Sequence, residues 1–256
     1  MSLDLVQRID GDAEATPILL ANSLGAELGM WDEQMTAFAD RVRVLRYNQR
    51  GHGGSPAPAG PYSIEDLARD ALDLLDRNGV ERAGFAGVSL GGMVGLWLAV
   101  NAPERIDRLV LCSTTAFAGG GTAWEERAAT VREGGMAAVA DATLERWFTP
   151  EFHAERGDRV EDVRAMLLGT DPEAYAGCCE AIGGHDLRDR LGEVSAPTLV
   201  ITAADDPSIG PEQGEQLAGG IPEGRLLALP EGRHLVNVER PENVTGPMLE
   251  HLVGSG

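Results

Sequence analysis

A chain of 256 residues with 43% hydrophobic content suits one large domain, with room for an inserted subdomain. Its 41 acidic residues outnumber 21 Lys and Arg, and the formal charge of −20 repels nucleic acid and anionic membrane surfaces. All 21 of those cations are arginine, which excludes a Schiff-base lysine, a pyridoxal phosphate anchor and a P-loop lysine.

In chain order, apolar segments at 3–9, 17–21, 42–47, 83–88, 109–113, 198–202 and 225–229 read as strands. Several are near-continuous apolar runs, as strands buried on both faces require. Helical patterns separate them. Ser63, with Asp66 three residues on, predicts a capped helix carrying Ile64, Leu67, Ala71 and Leu74 on one face. Asn78-Gly79 predicts its end. Strand and helix alternation predicts a mostly parallel twisted sheet flanked by helices.

One connection is too long for a crossover. About 84 residues separate Ser113 from Thr198. They carry several helical stripes, among them Trp124, Ala128 and Val131, then Met136, Val139 and Trp147. Asp171-Pro172 is a further helix start. This predicts a helical cap at 116–195, inserted before the acid-bearing strand, over a core made of 1–115 and 196–256.

The turns after the strands carry the chemistry. Gly87-Val88-Ser89-Leu90-Gly91 joins an apolar strand to an apolar helix. A G-x-S-x-G segment in that context is the nucleophile elbow of the α/β-hydrolases, where a strained turn lifts a serine above the sheet edge. A serine hydroxyl needs a base to take its proton, and the base needs a carboxylate to fix its tautomer. In this fold the order is serine, acid, histidine. His234 follows the 225–229 strand by a short loop, whereas His251 lies in a terminal amphipathic segment expected to face solvent. Asp205 and Asp206 both follow the 198–202 strand; Asp206 is the preferred acid, with Asp205 as a loop carboxylate. The oxyanion would be held by the backbone N–H of Leu90 and of Leu24, in the loop after 17–21.

The runs at 22–34, 50–70, 87–111, 129–152, 167–182 and 232–242 resemble the 3-oxoadipate enol-lactonases, across nearly the whole chain and including the cap. The resemblance implies an α/β-hydrolase fold and cofactor-free hydrolysis of 3-oxoadipate enol-lactone in aromatic catabolism, with Ser89, Asp206 and His234 as the triad. Two segments depart from the family. Pro207-Ser208-Ile209-Gly210-Pro211 replaces Pro-x-Thr-Pro-Pro, and Gly246-Pro247 is expected to interrupt the last helix.

An anionic lactone approaching a chain of −20 needs a local cation. Arg50 after the third strand and Arg146 in the cap are the candidates, with Trp124 and Trp147 as further substrate contacts. No H-x-H-x-D-H run exists, so no metal is expected. The three cysteines, two of them adjacent, argue against a disulfide framework and for a reducing cytoplasm. No apolar run of membrane-spanning length and no signal-peptide pattern occurs. Rival readings are another serine esterase, a carbon–carbon bond hydrolase or a perhydrolase on the same fold, or a non-catalytic ligand receptor.

Overall fold

The structure, a computed structural model, describes residues 3–254. Its centre is a seven-stranded sheet of β1 (Gln7–Asp10), β2 (Pro17–Ala21), β3 (Arg43–Tyr47), β4 (Ala83–Val88), β5 (Ile106–Cys112), β6 (Thr198–Ala203) and β7 (Gly224–Leu229). Their spatial order is β1-β3-β2-β4-β5-β6-β7. Only β1 runs antiparallel to its neighbour; every other pairing is parallel. All six residues of β4 and of β6 are buried, as expected for interior strands covered on both faces. The first strand is shorter than its apolar pattern predicts. Residues 3–6 leave the ladder, and Val6 instead donates to Ser55 Oγ and accepts from Asn48 N–H, both in the loop after β3.

Helices cover both faces. Those outside the β5–β6 connection are α1 (Asp32–Ala39), α2 (Ile64–Arg77) and α3 (Leu90–Asn101) before it. Within the connection lie α4 (Gly121–Gly134), α5 (Ala137–Trp147), α6 (Pro150–Glu155), α7 (Gly157–Leu168) and α8 (Pro172–Gly183). After it come α9 (Pro211–Gly220), α10 (Val236–Glu239) and α11 (Pro241–Val253). Helices α2 and α3 pack together on one face, and α1 packs on α11 on the other. The α2 start is a complete capping box: Ser63 Oγ accepts from Asp66 N–H, and Asp66 accepts from Ser63 N–H. Such a cap contributes about 1 kcal/mol.

Helix α11 runs through Pro247 instead of breaking there. The proline removes one backbone donor, but Val244, Met248, Leu249 and Leu252 are buried around it and hold the segment helical. His251 is also unlike its expectation. It is 5% exposed, with Nδ1 facing Arg225 Nη2 at 3.1 Å and Nε2 facing Pro197 O at 3.0 Å. The cysteines are buried and unpaired. Among the described residues, no helix is long and apolar enough to cross a membrane.

Candidate active site

The turn between β4 and α3 shows how the sequence sets the site. Ser89 has φ 55° and ψ −115°, a left-handed backbone that costs a non-glycine residue roughly 1–3 kcal/mol. Two glycines make the turn possible. A Cβ on Gly87 would lie 2.2 Å from the Gly91 carbonyl, and one on Gly91 would lie 2.2 Å from the Ala21 carbonyl of β2. The end of β5 clamps the serine backbone: Ser89 N–H donates to Cys112 O at 2.9 Å, and Thr114 Oγ1 donates to Ser89 O at 2.7 Å. The serine hydroxyl is left half-buried on the border of a cavity of about 590 Å³.

His234 reaches the same cavity from the loop after β7. Its Nδ1 lies 2.8 Å from Asp206 Oδ2. The other oxygen of Asp206 accepts the Ser208 and Ile209 N–H groups at 2.8 and 3.1 Å. The Asp206 side chain is fully buried, so its orientation is fixed by all three bonds. Asp205 turns away and accepts Gly232 N–H at 3.1 Å, tying the loop after β6 to the loop that carries His234. Among the described residues, neither Ser89 Oγ nor His234 Nε2 makes a hydrogen bond to any protein group, so the two face one cavity without a direct bond between them.

Of the two expected oxyanion donors, only Leu24 is on the cavity lining; Leu90, next to Ser89 in the chain, is fully buried. Leu90 N–H opens α3, where no intrahelical acceptor exists. The neighbours of Leu24 hold its loop: Ser23 N–H faces Met30 Sδ at 3.4 Å, and Gly25 N–H donates to His52 Nε2 at 2.9 Å.

The far wall comes from the β5–β6 connection. Trp124, Arg127, Arg146 and Trp147 all line the cavity. Trp124 Nε1 donates to Ala118 O at 3.0 Å, which fixes its ring. Arg127 donates from Nε and Nη2 to Tyr175 Oη at 2.9 and 2.5 Å, and from Nη2 to Thr143 Oγ1 at 2.7 Å. Arg146 reaches only the same Thr143 hydroxyl, at 3.3 Å. Burial and the neighbouring Arg127 charge lower the Arg146 pKa, while burial pushes Tyr175 up to about 12. Neither arginine forms an ion pair among the described residues. A third cavity arginine, Arg188, is neutralised by Asp186 at 2.6 Å. Two half-buried guanidiniums that share the Thr143 hydroxyl and lack carboxylate partners suit an anion.

Arg50 does not join them. Its Nε donates to Asp70 Oδ2 at 2.7 Å, its Nη2 donates to Asp66 O at 3.2 Å, and its Cζ stacks 4.7 Å from the Tyr62 ring centroid. The residue is 9% exposed and absent from the cavity lining. Asp70, in the second turn of α2, captures a guanidinium that the sequence offers to substrate. Arg127 escapes the sequence reading, although its position three residues after Trp124 places both on one helix face.

The wall and the histidine loop are joined by Glu239. Its Oε1 accepts Thr149 N–H and Oγ1 at 2.9 and 2.5 Å, and its Oε2 accepts Arg233 N–H at 2.6 Å. The Arg233 guanidinium caps the carbonyls of Glu145 and Phe148 at the α5 end, and Leu235 N–H donates to Trp147 O at 3.3 Å.

A parallel sheet with a strained serine turn at its centre and a His–carboxylate pair at the same edge defines a class of hydrolytic enzymes. The sequence model of the alpha/beta hydrolase fold matches residues 16–241, and the chain belongs to that family. Within it, the chain is 40% identical over 232 residues to 3-oxoadipate enol-lactonase 2 of Acinetobacter baylyi, covering 91% of this chain and 86% of that one. It is 33% identical over 243 residues to the putative carbamate hydrolase RutD of Azorhizobium caulinodans, covering 93% and 91%. The solved enol-lactonase of Burkholderia xenovorans LB400 superposes with a TM-score of 0.96 at 41% identity, over 98% of this chain and 97% of that one. The protein is a hydrolase.

Proposed function

We propose that the protein opens 3-oxoadipate enol-lactone to 3-oxoadipate by acyl transfer through Ser89. The observation that carries this reading is one cavity bordered by Ser89 and His234 on the core side and by two arginines without carboxylate partners on the other. A neutral ester gives no reason to bury two such cations. A lactone bearing its own carboxylate does, and relatives named 3-oxoadipate enol-lactonase support the choice.

Ser89 Oγ attacks the ring carbonyl while His234 Nε2 takes its proton. Asp206 holds the opposite ring nitrogen and stabilises the imidazolium. The Leu24 and Leu90 N–H groups receive the oxyanion. The ring C–O bond then breaks, and the leaving enolate takes the proton back from the His234 imidazolium and tautomerises to the ketone, which returns His234 to its neutral form; an enolate leaves more readily than a simple alkoxide. Water, deprotonated by His234, cleaves the acyl-serine and frees the new carboxylate. Residues 116–195 act as the cap, with Arg127 and Arg146 gripping the substrate carboxylate and Trp124 and Trp147 flanking the ring.

The test is loss of enol-lactone absorbance by the purified protein, with a neutral aryl acetate and an aryl carbamate as comparisons. The lactone should give the highest kcat/KM, and Ser89→Ala should lower it by at least about 10⁴-fold. A preference for the carbamate or the neutral ester, or residual turnover by Ser89→Ala near the wild-type rate, overturns the reading.

A further inference from the structure

The Arg50-Gly51-His52-Gly53 segment is left without a substrate once Arg50 is paired, yet His52 is fully buried and aimed at the active edge. Its Nε2 accepts Gly25 N–H at 2.9 Å, and its Nδ1 faces Arg50 O at 2.9 Å. Both bonds are satisfied together by one species: a neutral ring with its proton on Nδ1, donating to Arg50 O. Burial pushes the His52 pKa down to about 4, so the Nε2 lone pair is present at neutral pH.

The loop that His52 touches is fastened at Asn22, at Ser23, whose carbonyl accepts Ala26 N–H at 3.1 Å, and at Gly25, which leaves one N–H between them without an acceptor among the described residues. At one end Asn22 Nδ2 donates to Tyr47 O at 2.8 Å, Asn22 Oδ1 accepts from Trp31 Nε1 at 3.0 Å, and Asn22 O accepts from Gln49 Nε2 at 2.7 Å. At the other end Gly25 has φ 81°, and a Cβ there would lie 2.4 Å from Leu167 Cδ1. Its N–H goes to His52. Between these anchors, Leu24 N–H has no protein acceptor among the described residues.

We infer that His52 is a positioning residue for the oxyanion site: by holding Gly25 N–H it fixes the peptide next to Leu24 and keeps Leu24 N–H aimed into the cavity. Arg50 serves the same end, because its ion pair with Asp70 sets the carbonyl that fixes the His52 tautomer. This inference rests on the acyl-transfer reading, in which Leu24 N–H receives the oxyanion.

The experiment compares His52→Leu, which fills the volume without an acceptor, with His52→Gln, whose Oε1 offers one. Each is assayed on a neutral aryl acetate for kcat and KM and on a boronic acid transition-state analogue for Ki. Fluorophosphonate labelling of the wild type at Ser89 runs alongside. His52→Leu should lower kcat on the order of 100-fold with KM within about threefold, and boronate affinity should fall by the same factor as kcat/KM. His52→Gln should recover about tenfold or more of that loss. Unchanged boronate affinity in His52→Leu, or equal activity of the two variants, overturns the positioning role. Where His52→Leu is not recovered folded, His52→Asn, whose amide stops short of Gly25, takes its place with the same expectations. A wild type that neither labels nor cleaves the ester overturns the acyl-transfer reading itself, and the inference falls with it. Where the wild type does both, the two variants alone decide the role of His52.

Discussion

Replacing Arg146 by methionine tests the proposed anion binding apart from the acyl-transfer chemistry. Methionine keeps much of the apolar stem on the cavity wall and removes the charge together with the bond to Thr143. In the wild type that charge is half-buried, lies against Arg127 and has one long hydrogen bond of 3.3 Å to Thr143. It therefore contributes little to the free protein, which leaves it available to the anion proposed for the cavity. A charge-assisted hydrogen bond contributes about 1.5–3 kcal/mol, which corresponds to roughly 10- to 100-fold in affinity. Arg146→Met should raise KM for the anionic enol-lactone by about that factor while kcat stays within about threefold. KM for a neutral aryl acetate should not move. Thermal melting should stay level or rise, because a like-charge contact and a desolvated cation are both lost. Steady-state kinetics on the two substrates, with a melting curve, measure all of this. Equal losses on both substrates would show that Arg146 shapes the cavity and does not grip an anion.

Three other outcomes follow from the geometry. Asp206→Asn should lower kcat by about 10³–10⁴-fold on lactone and ester alike, since an amide no longer favours the Nδ1–H tautomer of His234; a loss under tenfold would contradict the pairing at 2.8 Å. Gly91→Ala should destabilise the protein by about 3 kcal/mol or more and suppress phosphonate labelling, because its Cβ meets the Ala21 carbonyl at 2.2 Å; denaturant unfolding and labelling rates check both. Acid should weaken the fold between about pH 6.5 and 4. Burial lowers His52 and His185 from 6.5 to about 4, so the unfolded chain binds protons that the native one refuses, and stability is lost as pH falls through that window. Each can contribute up to about 3 kcal/mol, and His185→Gln should flatten the urea midpoint against pH.

What the sequence discloses is governed by how local the determinant is. The elbow is legible because Gly87, Ser89 and Gly91 are forced by a turn only five residues long. The 63–66 cap and the Asp171-Pro172 start are legible for the same reason. His234 and Asp206 follow from strand order, and adjacent carboxylates diverge because Asp205 is taken by Gly232 N–H. Arg50 misleads because its partner Asp70 sits on a different element, and no local pattern reveals that ion pair. Arg127 and Glu239 are invisible for a related reason. Their importance lies in what is absent around one and in two distant segments converging on the other. Pro247 shows tertiary burial overriding a backbone preference.

The carboxylate of Glu239 bears on motion as well as on architecture. It fastens Thr149, just past the end of α5, to Arg233, the neighbour of His234, so the cavity wall and the loop that carries the imidazole are joined through one side chain. A displacement of the α5 end would be passed through these bonds to the residue next to His234. Under the proposed acyl transfer, one carboxylate thus ties the placement of the cavity wall to the placement of the proton acceptor.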